Sequence, residues 1–227
     1  MTEATAPTAP PASETELLAR AHAIAGLSLA ELANRYDTPL PADTRSGKGW
    51  SGQLLERVLG ATAGALAEPD FQALGVEMKT LPLAASGRPR ESTYVCTVPL
   101  DGGAEPGWEA SWVHRKLARV LWLPVEGDPA IPLPRRRVGT ALLWSPEADL
   151  EAALRTDWEE LMERVVMGEV DQLSAHLGTY LQIRPKGADG RALTRAVGTD
   201  GAPVLTLPRG FYLRTAFTNE ILRRHYL

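Results

Sequence analysis

The sequence predicts an α/β protein of the α+β kind, in which helices flank a mixed β-sheet. Three observations lead to this fold class. Apolar residues recur at helical intervals up to about residue 60, strand patterns dominate residues 75–144, and helical periodicity returns over residues 147–167 and near the C-terminus. Helices followed by strands and then by further helices are typical of this class.

Length and composition favour one globular domain. The chain has 227 residues, of which 44% are hydrophobic and 23% are charged, as in ordinary soluble domains. No apolar run approaches the roughly 18 residues that a membrane-spanning helix needs. The N-terminus lacks the basic start and apolar centre of a signal peptide, and its bias toward Ala, Pro and Thr predicts disorder. We therefore expect a disordered tail at residues 1–13 and a single domain at residues 14–227.

The single cysteine limits the redox chemistry of the chain. Cys96 can form no internal disulfide and no CxxC metal pair. Residues 94–98 have the pattern of a buried strand, so we expect Cys96 to be a small core residue. One cysteine and no export signal predict a reducing, cytoplasmic location and no association with a membrane.

Two capping boxes predict the first two helices. Ser13 and Glu16 have the spacing of such a box, and the apolar residues that follow them recur at helical intervals up to Gly26, which we expect to end the helix. Ser28 and Glu31 repeat the spacing before a short second helix.

The central part of the chain predicts a loop, a third helix and then strands. Residues 37–50 are rich in Pro, Asp, Gly and Lys and predict a loop, whereas the apolar residues between 54 and 59 indicate a helix. Residues 75–81 alternate apolar with polar residues, which is the pattern of a half-buried strand, and residues 88–90 predict a turn. Further strands are expected at residues 94–98, 120–125 and 140–144.

A long amphipathic helix is predicted at residues 147–167. Its inward stripe consists of Leu150, Leu154, Trp158, Leu161 and Val165, and its other side is acidic. The C-terminal part predicts short strands, a turn at residues 208–210 and a last helix from Thr218. Most of the six tryptophans lie within apolar runs and are expected in the core.

Charge is unevenly distributed along the chain. The net charge of −4 argues weakly against a nucleic-acid partner, but distribution matters more than the total. Residues 147–171 hold nine acids and two arginines, residues 180–227 hold eight bases and three acids, and residues 112–137 hold six bases and two acids. Each segment alone is typical of a solvated face, although a basic side can neutralise phosphates whatever the total charge.

The local pattern that carries chemistry is Asp70 followed by Glu77 and Lys79. On a strand, residues 77 and 79 project from the same face, and Asp70, at the preceding turn, can reach toward Glu77. Carboxylates are ligands that Mg²⁺ prefers, and a lysine can position an attacking water or stabilise charge on phosphorus. Glu56, on the third helix, could join this cluster. The motif alone favours a surface Glu–Lys pair of little energetic consequence.

Seven co-linear segments resemble the MutH family, the methyl-directed DNA mismatch repair endonucleases. The resemblance runs from about Glu16 to Leu227. Its segments are residues 48–50 with 54–56, residues 70–80 (DFQALGVEMKT), 116–122 (KLARVLW), 136–139, 157–161, 180–186 (YLQIRPK) and 207–213 (LPRGFYL). Such a set is far more specific than the catalytic triplet, and no catalytic position departs from the family pattern.

The resemblance implies a restriction-endonuclease-like fold with two lobes that form a DNA cleft. It implies Asp70, Glu77 and Lys79 as catalytic residues and a Mg²⁺ ion held by Asp70 and Glu77, with Glu56 as a further candidate ligand. The residues implied to contact DNA are Lys48 and Lys116 along the cleft and Arg184, Lys186 and Tyr212 on the lobe that reads the site. Tyr212 could instead be a core aromatic, as Phe211 is expected to be.

The implied activity is nicking of the unmethylated strand at GATC sites in double-stranded DNA. The implied partners are MutL as activator and MutS indirectly, the chain is expected to be a monomer, and the acidic helix at residues 147–167 is a candidate docking face. Three alternatives stay open: a type II restriction endonuclease that cuts both strands at GATC, a DNA-binding sensor without catalysis, and a protein-interaction module that uses the acidic helix. The intact catalytic set favours catalysis over the last two.

Overall fold

A computed structural model describes residues 8–41, 49–64, 66–101, 107–173, 177–186 and 193–226. The chain divides into two compact units: unit 1 consists of residues 1–90 and 119–145, and unit 2 of residues 91–118 and 146–227. The helices are α1 (Glu14–Ala23), α2 (Leu29–Arg35), α3 (Trp50–Leu59), α4 (Trp112–Leu117), α5 (Ala148–Val166) and α6 (Thr215–Tyr226). The strands are β1 (Glu77–Leu83), β2 (Thr93–Thr97), β3 (Val120–Glu126), β4 (Leu142–Trp144), β5 (Leu181–Pro185), β6 (Thr194–Val197), β7 (Pro203–Thr206) and β8 (Arg209–Leu213).

Unit 1 packs α1, α2 and α3 against a three-stranded mixed sheet of order β1–β3–β4. Strands β1 and β3 are parallel, with Glu77 opposite Val120, and β4 is antiparallel to β3. Apolar side chains of the three helices share a core with Met78 from β1 and Leu121 from β3. This packing covers one face of β1, so the opposite face carries Glu77 and Lys79.

Both predicted caps begin helices, but only the second is a reciprocal capping box, since Glu16 at the first accepts from the Ala12 amide. Ser13 Oγ accepts a hydrogen bond from the Glu16 amide at the start of α1, and Ser28 and Glu31 form a reciprocal box at the start of α2. Helix α1 ends at Ala23, earlier than predicted, because the chain turns away and Gly26 donates its amide to the Val138 carbonyl.

Some residues of the predicted tail are in contact with unit 1. Residues 1–7 lie outside the described part of the chain, but the Ala9 carbonyl accepts a hydrogen bond from Arg20 Nη1 at 2.6 Å, and Pro11 is buried. Ala9 also lies close to Gly60. A Cβ added at Gly60 would be 2.5 Å from the Ala9 carbonyl oxygen. The last residues of the predicted tail therefore pack on α1 and on the end of α3.

Strand β1 begins two residues later than the alternation predicts. Residues 72–74 form a turn of 3-10 helix, and Gly75 takes a left-handed conformation with φ of +64°. Phe71 and Val76 exchange backbone hydrogen bonds across this turn. The turn expected at residues 88–90 lies earlier, where the Gly87 amide donates to the Ala84 carbonyl, because residue 89 is bridged to Leu83.

Unit 2 contains an antiparallel sheet of order β2–β8–β5, the hairpin β6–β7, and the helices α4, α5 and α6. The predicted inward stripe of α5 is buried throughout. The prediction of a turn at residues 208–210 is wrong. Arg209 and Gly210 begin the central strand β8, and Gly210 pairs with Arg184. Helix α6 begins at Thr215, three residues earlier than predicted.

Two predictions about buried side chains need correction. Cys96 is only half-buried, since a register irregularity between Tyr94 and Cys96 interrupts the pairing of β2 with β8. Five of the tryptophans are buried, as predicted, but Trp112 is half-exposed, and the guanidinium of Arg115 lies 5.2 Å from its ring centroid. Among the described residues, no helix is both long and apolar enough to cross a membrane.

Candidate active site and DNA-reading surface

Glu77 and Lys79 form a buried ion pair on the face of β1 that is turned away from α1–α3. Lys79 Nζ lies 2.6 Å from Glu77 Oε1, and the two side chains are 11% and 5% exposed. The Glu77 amide donates to the Arg119 carbonyl, which continues the parallel ladder with β3. A carboxylate as buried as this one needs a compensating charge, and Lys79 supplies it from two residues along the same strand.

Asp70 is anchored at the edge of β1 that lies away from β3. Its Oδ2 accepts a hydrogen bond of 2.8 Å from the amide of Met78, which points away from β3 because successive amides of a strand point to opposite edges. The turn between Phe71 and Val76 folds the chain back and brings Asp70 to this position. The structure therefore brings together Asp70, Glu77 and Lys79, the three residues predicted to be catalytic.

Two carboxylates beside an ammonium group suit a hard divalent cation and a phosphate. Carboxylate oxygens are the ligands that Mg²⁺ and Ca²⁺ prefer, so the donor chemistry of Asp70 and Glu77 fits the implied metal ion. Glu56 lies on α3, and its carboxylate points toward the N-terminus of the helix. Its Oε1 lies 3.9 Å from the position that a Cβ would take at Gly52. Within the described ranges, no group of three or more His, Cys, Asp or Glu side chains is arranged to hold a metal ion, so a ligand role for Glu56 stays a prediction.

A second cluster lies on unit 2, where two cations flank two tyrosines. Arg184 and Lys186 are exposed, Tyr94 and Tyr212 are half-buried, and the tyrosine rings pack edge to face with centroids 5.3 Å apart. The Arg184 guanidinium lies 5.8 Å from the Tyr212 centroid. Lys186 Nζ lies 4.1 Å from the Tyr94 centroid and donates to the Tyr94 hydroxyl at 2.6 Å. The structure thus brings together Arg184, Lys186 and Tyr212, and it adds Tyr94.

Strand register places this cluster on one face of the sheet. Tyr212 pairs with Tyr94 on one side and with Gln182 on the other, while Phe211, the residue before it, points to the opposite face and is fully buried. Alternation along β8 therefore places Phe211 in the core, as predicted, and Tyr212 on the opposite face of the sheet. Tyr94 was missed because its segment was interpreted as a buried strand, although Tyr94 pairs with Tyr212 and lies on the same face of the sheet.

The remaining predicted DNA contacts receive less support. Lys48 lies outside the described residues. Lys116, on α4, is only 8% exposed, so the structure does not present its side chain on a surface.

Helix α5 is not the uniform acidic face that the sequence suggests. Asp157 is buried and 4% exposed, and Glu147 and Asp149 pair with Arg224 of α6. A hydrogen bond from Arg224 lowers the pKa of Asp149 to about 2. Hydrogen bonds from Arg223 and then Arg224 lower the pKa of Glu220 to about 2 as well. Much of the acidic charge at the start of α5 therefore serves to hold α6.

Comparison with known proteins decides the family. The family described as DNA mismatch repair enzyme MutH matches residues 59–157. The DNA mismatch repair protein MutH of Klebsiella pneumoniae strain 342 is 55% identical over 218 residues, which cover 96% of this chain and 94% of that protein. The chain belongs to the MutH family. The MutH protein of Yersinia enterocolitica serotype O:8 is 52% identical over 221 residues, which are 97% of each chain.

Membership of the MutH family makes the chain a DNA mismatch repair endonuclease. The restriction-endonuclease-like class of MutH agrees with the small sheets flanked by helices that both units contain, mixed in unit 1 and antiparallel in unit 2, so the predicted α+β fold class is confirmed. The matched range of the MutH family includes Asp70, Glu77 and Lys79, and nucleases in general use a divalent metal ion for such hydrolysis.

Proposed function

We propose that this chain is a magnesium-dependent endonuclease that nicks the unmethylated strand at GATC sites in double-stranded DNA, with Asp70, Glu77 and Lys79 as its catalytic residues. The observation that carries the proposal is the buried pair of Glu77 and Lys79, 2.6 Å apart, beside an Asp70 carboxylate held on the Met78 amide. A buried Glu–Lys pair is weak evidence for stability, whereas acidic and basic side chains that converge on one place are typical of catalytic sites.

Each residue has a role in this proposal. Asp70 and Glu77 hold the Mg²⁺ ion, and Glu56 is the candidate for a further carboxylate ligand. When bound, the ion offsets charge on the scissile phosphate and makes a water molecule more acidic. Lys79 orients the attacking water and stabilises the negative charge on the oxygens of the phosphoryl group. The water oxygen bonds to phosphorus in line with the P–O3′ bond, which breaks; the water loses a proton to solvent and the 3′ oxygen gains one, so the products are a 5′-phosphate and a 3′-hydroxyl.

The exposed cluster on unit 2 supports the proposed site reading. Arginine matches the O6 and N7 acceptors of guanine, and adenine presents its N6 amino group at the same groove. We assign Arg184 to guanine, Tyr212 to the adenine N6 edge, where a methyl group would add volume, and Lys186 to a phosphate. Lys48 and Lys116 stay predictions from the resemblance, as does the DNA cleft.

The proposed partners follow from the family and from charge. MutL is the proposed activator, MutS acts through it, and the chain acts as a monomer in the reducing cytoplasm, where the DNA of the bacteria that carry the relatives lies. For the docking of MutL, the remaining candidate on α5 is its C-terminal half, because the acids at its start are paired within the chain.

The deciding experiment measures nicking of a plasmid that contains one GATC site. With Mg²⁺, and more strongly with MutL, we expect unmethylated supercoiled plasmid to become the nicked circle. Glu77→Ala should abolish nicking and retain DNA binding, because phosphate contacts elsewhere dominate affinity. The control is Glu68→Ala, an exposed acid of the same unit, which should cut like the wild type.

Each alternative predicts a different result. A type II restriction enzyme would linearise the plasmid without MutL, and a sensor would bind it without cutting under any condition. Cutting by the Glu77→Ala variant at the wild-type rate would remove Glu77 from the mechanism.

A further inference from the structure

Asp157 is a buried carboxylate that the proposed reaction does not use. It lies in the middle of α5, where its residue is 4% exposed, while the next two acids along the helix, Glu159 and Glu160, are exposed. Burial of an ionised carboxylate costs several kcal/mol unless hydrogen bonds compensate it. The partners of Asp157 therefore show what the carboxylate is for.

Three consecutive backbone amides surround this carboxylate. Asp157 Oδ1 accepts from the Thr179 amide at 2.8 Å, and Oδ2 accepts from the amides of Tyr180 at 2.6 Å and Leu181 at 2.7 Å. Successive amides that converge on one anion form a concave backbone nest. Charge-assisted bonds of this kind are stronger than bonds between neutral groups, so Asp157 fixes the backbone of residues 179–181.

Two further features close the same turn. Gly178 has φ of +78°, and a Cβ there would lie 2.0 Å from the Leu181 carbonyl oxygen and 3.3 Å from Asp157 Cγ, so only glycine fits beside the carboxylate. Arg214 donates to the Leu177 carbonyl from Nη2 at 2.8 Å and to the Tyr180 carbonyl from its amide at 2.7 Å. The turn is therefore held on both sides.

The turn leads directly into β5. Leu181, the last residue bound by Asp157, is also the first residue of β5 and pairs with Leu213. Arg184 lies three residues later, roughly 10 Å along the strand, opposite Gly210 and beside the Tyr212 ring. A shift of one residue in β5 would turn Arg184 to the opposite face of the sheet.

We propose that Asp157 is a positioning residue for sequence recognition, which fixes the start of β5 and thereby the height of Arg184 over Tyr212. The inference rests on the proposed role of Arg184 in reading guanine. Asp157 touches no DNA in this proposal and acts only through the strand that carries Arg184.

The first test needs no DNA. Asp157→Asn keeps the size of the side chain but replaces one accepting oxygen with a donor, which conflicts with an amide donor. We expect amide hydrogen exchange in β5 to accelerate at least tenfold in this variant, with exchange in β1 and β3 unchanged. Glu160→Gln, which removes one exposed carboxylate from the same helix, is the control and should leave both sheets unchanged. Unchanged exchange in β5 would overturn the proposal.

The second test uses GATC duplexes and duplexes in which the guanine is replaced. For Asp157→Asn we expect KM for GATC DNA to rise roughly tenfold and the preference for GATC to fall by a similar factor, as for loss of one base contact, with kcat changed less than about twofold. In an Arg184→Ala background, Asp157→Asn should reduce the preference no further. Effects that multiply would show that Asp157 acts independently of Arg184 and would overturn the proposal.

Two results are interpreted separately. If Asp157→Asn does not fold, Asp157→Glu, which keeps the charge and moves the carboxylate by one methylene, is measured in the same assays with the same expected directions. If the wild type shows no preference for GATC, the proposed function fails, while the hydrogen-exchange result still decides whether Asp157 fixes β5.

Discussion

Tyr94 and Tyr212 pack edge to face across the pairing of β2 with β8, with ring centroids 5.3 Å apart. Each ring also carries a cation, Lys186 on Tyr94 and Arg184 on Tyr212. Aromatic pairs of this geometry add about 0.5–1.5 kcal/mol beyond the burial of their area, and a cation over a ring adds about 0.5–1 kcal/mol at an exposed site. The four side chains therefore support one another in a defined arrangement on the surface.

Tyr212→Ala should reduce discrimination between methylated and unmethylated DNA more than it reduces catalysis. A lost base contact costs roughly 1–3 kcal/mol, or tenfold to over a hundredfold in preference. The rate on unmethylated duplexes should fall modestly, and cutting of the methylated strand should rise relative to it. Arg184→Ala should instead lower cutting at every GATC site.

The measurement is single-turnover nicking of unmethylated, hemimethylated and fully methylated duplexes by the wild type and both variants. Tyr212→Phe, which keeps the ring pair with Tyr94, is the control for loss of packing. If Tyr212→Ala keeps the wild-type preference, methyl sensing resides elsewhere in the protein.

Lys186→Ala should weaken the salt dependence of DNA binding. If Lys186 contacts a phosphate, the slope of log K against log salt should fall by about one unit. Arg223→Ala is the matched control, because this base of the same C-terminal segment is already paired with Glu220 at 2.6 Å. Binding isotherms at several salt concentrations give the slopes, and equal slopes for wild type and Lys186→Ala would place Lys186 away from the DNA backbone.

Gly210→Ala should destabilise the protein and disturb the tyrosine pair. A Cβ at Gly210 would lie 2.9 Å from Tyr94 Cε2 and 3.1 Å from Tyr212 Cε2, and overpacking of this kind costs about 1–3 kcal/mol. For Gly52→Ala we expect the opposite effect on stability. Gly52 lies inside α3, and the nearest atom to an added Cβ would be 3.9 Å away. The free energy of unfolding of that variant should rise by about 0.5–1 kcal/mol. Urea unfolding of both variants tests the pair, and equal midpoints would contradict it.

In the Arg224→Gln variant, stability should decrease less steeply than in the wild type as the pH falls from 6 to 2. The folded-state pKa values of Asp149 and Glu220 are about 2, below their ordinary values of 3.8 and 4.5. Groups with a lowered pKa stabilise the fold above their ordinary pKa, and this contribution disappears as the pH falls toward the folded value. The Tm of Arg224→Gln should thus lie below that of the wild type at pH 6, with the two values converging as the pH approaches 2.

Thermal unfolding monitored by circular dichroism at several pH values between 6 and 2 measures this effect. Arg88→Gln is the control, since it makes the same charge change at an exposed arginine of unit 1. A constant difference in Tm across the whole pH range would show that Arg224 stabilises α6 by packing alone.

Local patterns predicted the elements that depend only on neighbours along the chain. Ser13 and Ser28 predicted the starts of α1 and α2, because a cap needs only the amide three residues ahead. Alternation placed Glu77 and Lys79 on one face of β1, since successive side chains of a strand must point in opposite directions. The same alternation failed at Gly75, where a left-handed glycine and a 3-10 turn break the strand geometry.

The sequence by itself thus determined the class of fold, which follows from short, regular spacings, and the family, which follows from seven segments in the same order along the chain. The carboxylates and lysine proposed for catalysis come from that resemblance, because their short motif alone favours a surface pair. Only the tertiary structure decided which distant groups meet. Asp157 has the same charge as its neighbours on α5, but its amide partners are more than 20 residues away along the chain. Tyr94 and Lys186 are 92 residues apart. A charge or a ring takes its role from the groups packed against it, and packing between distant segments leaves no periodic trace in the sequence.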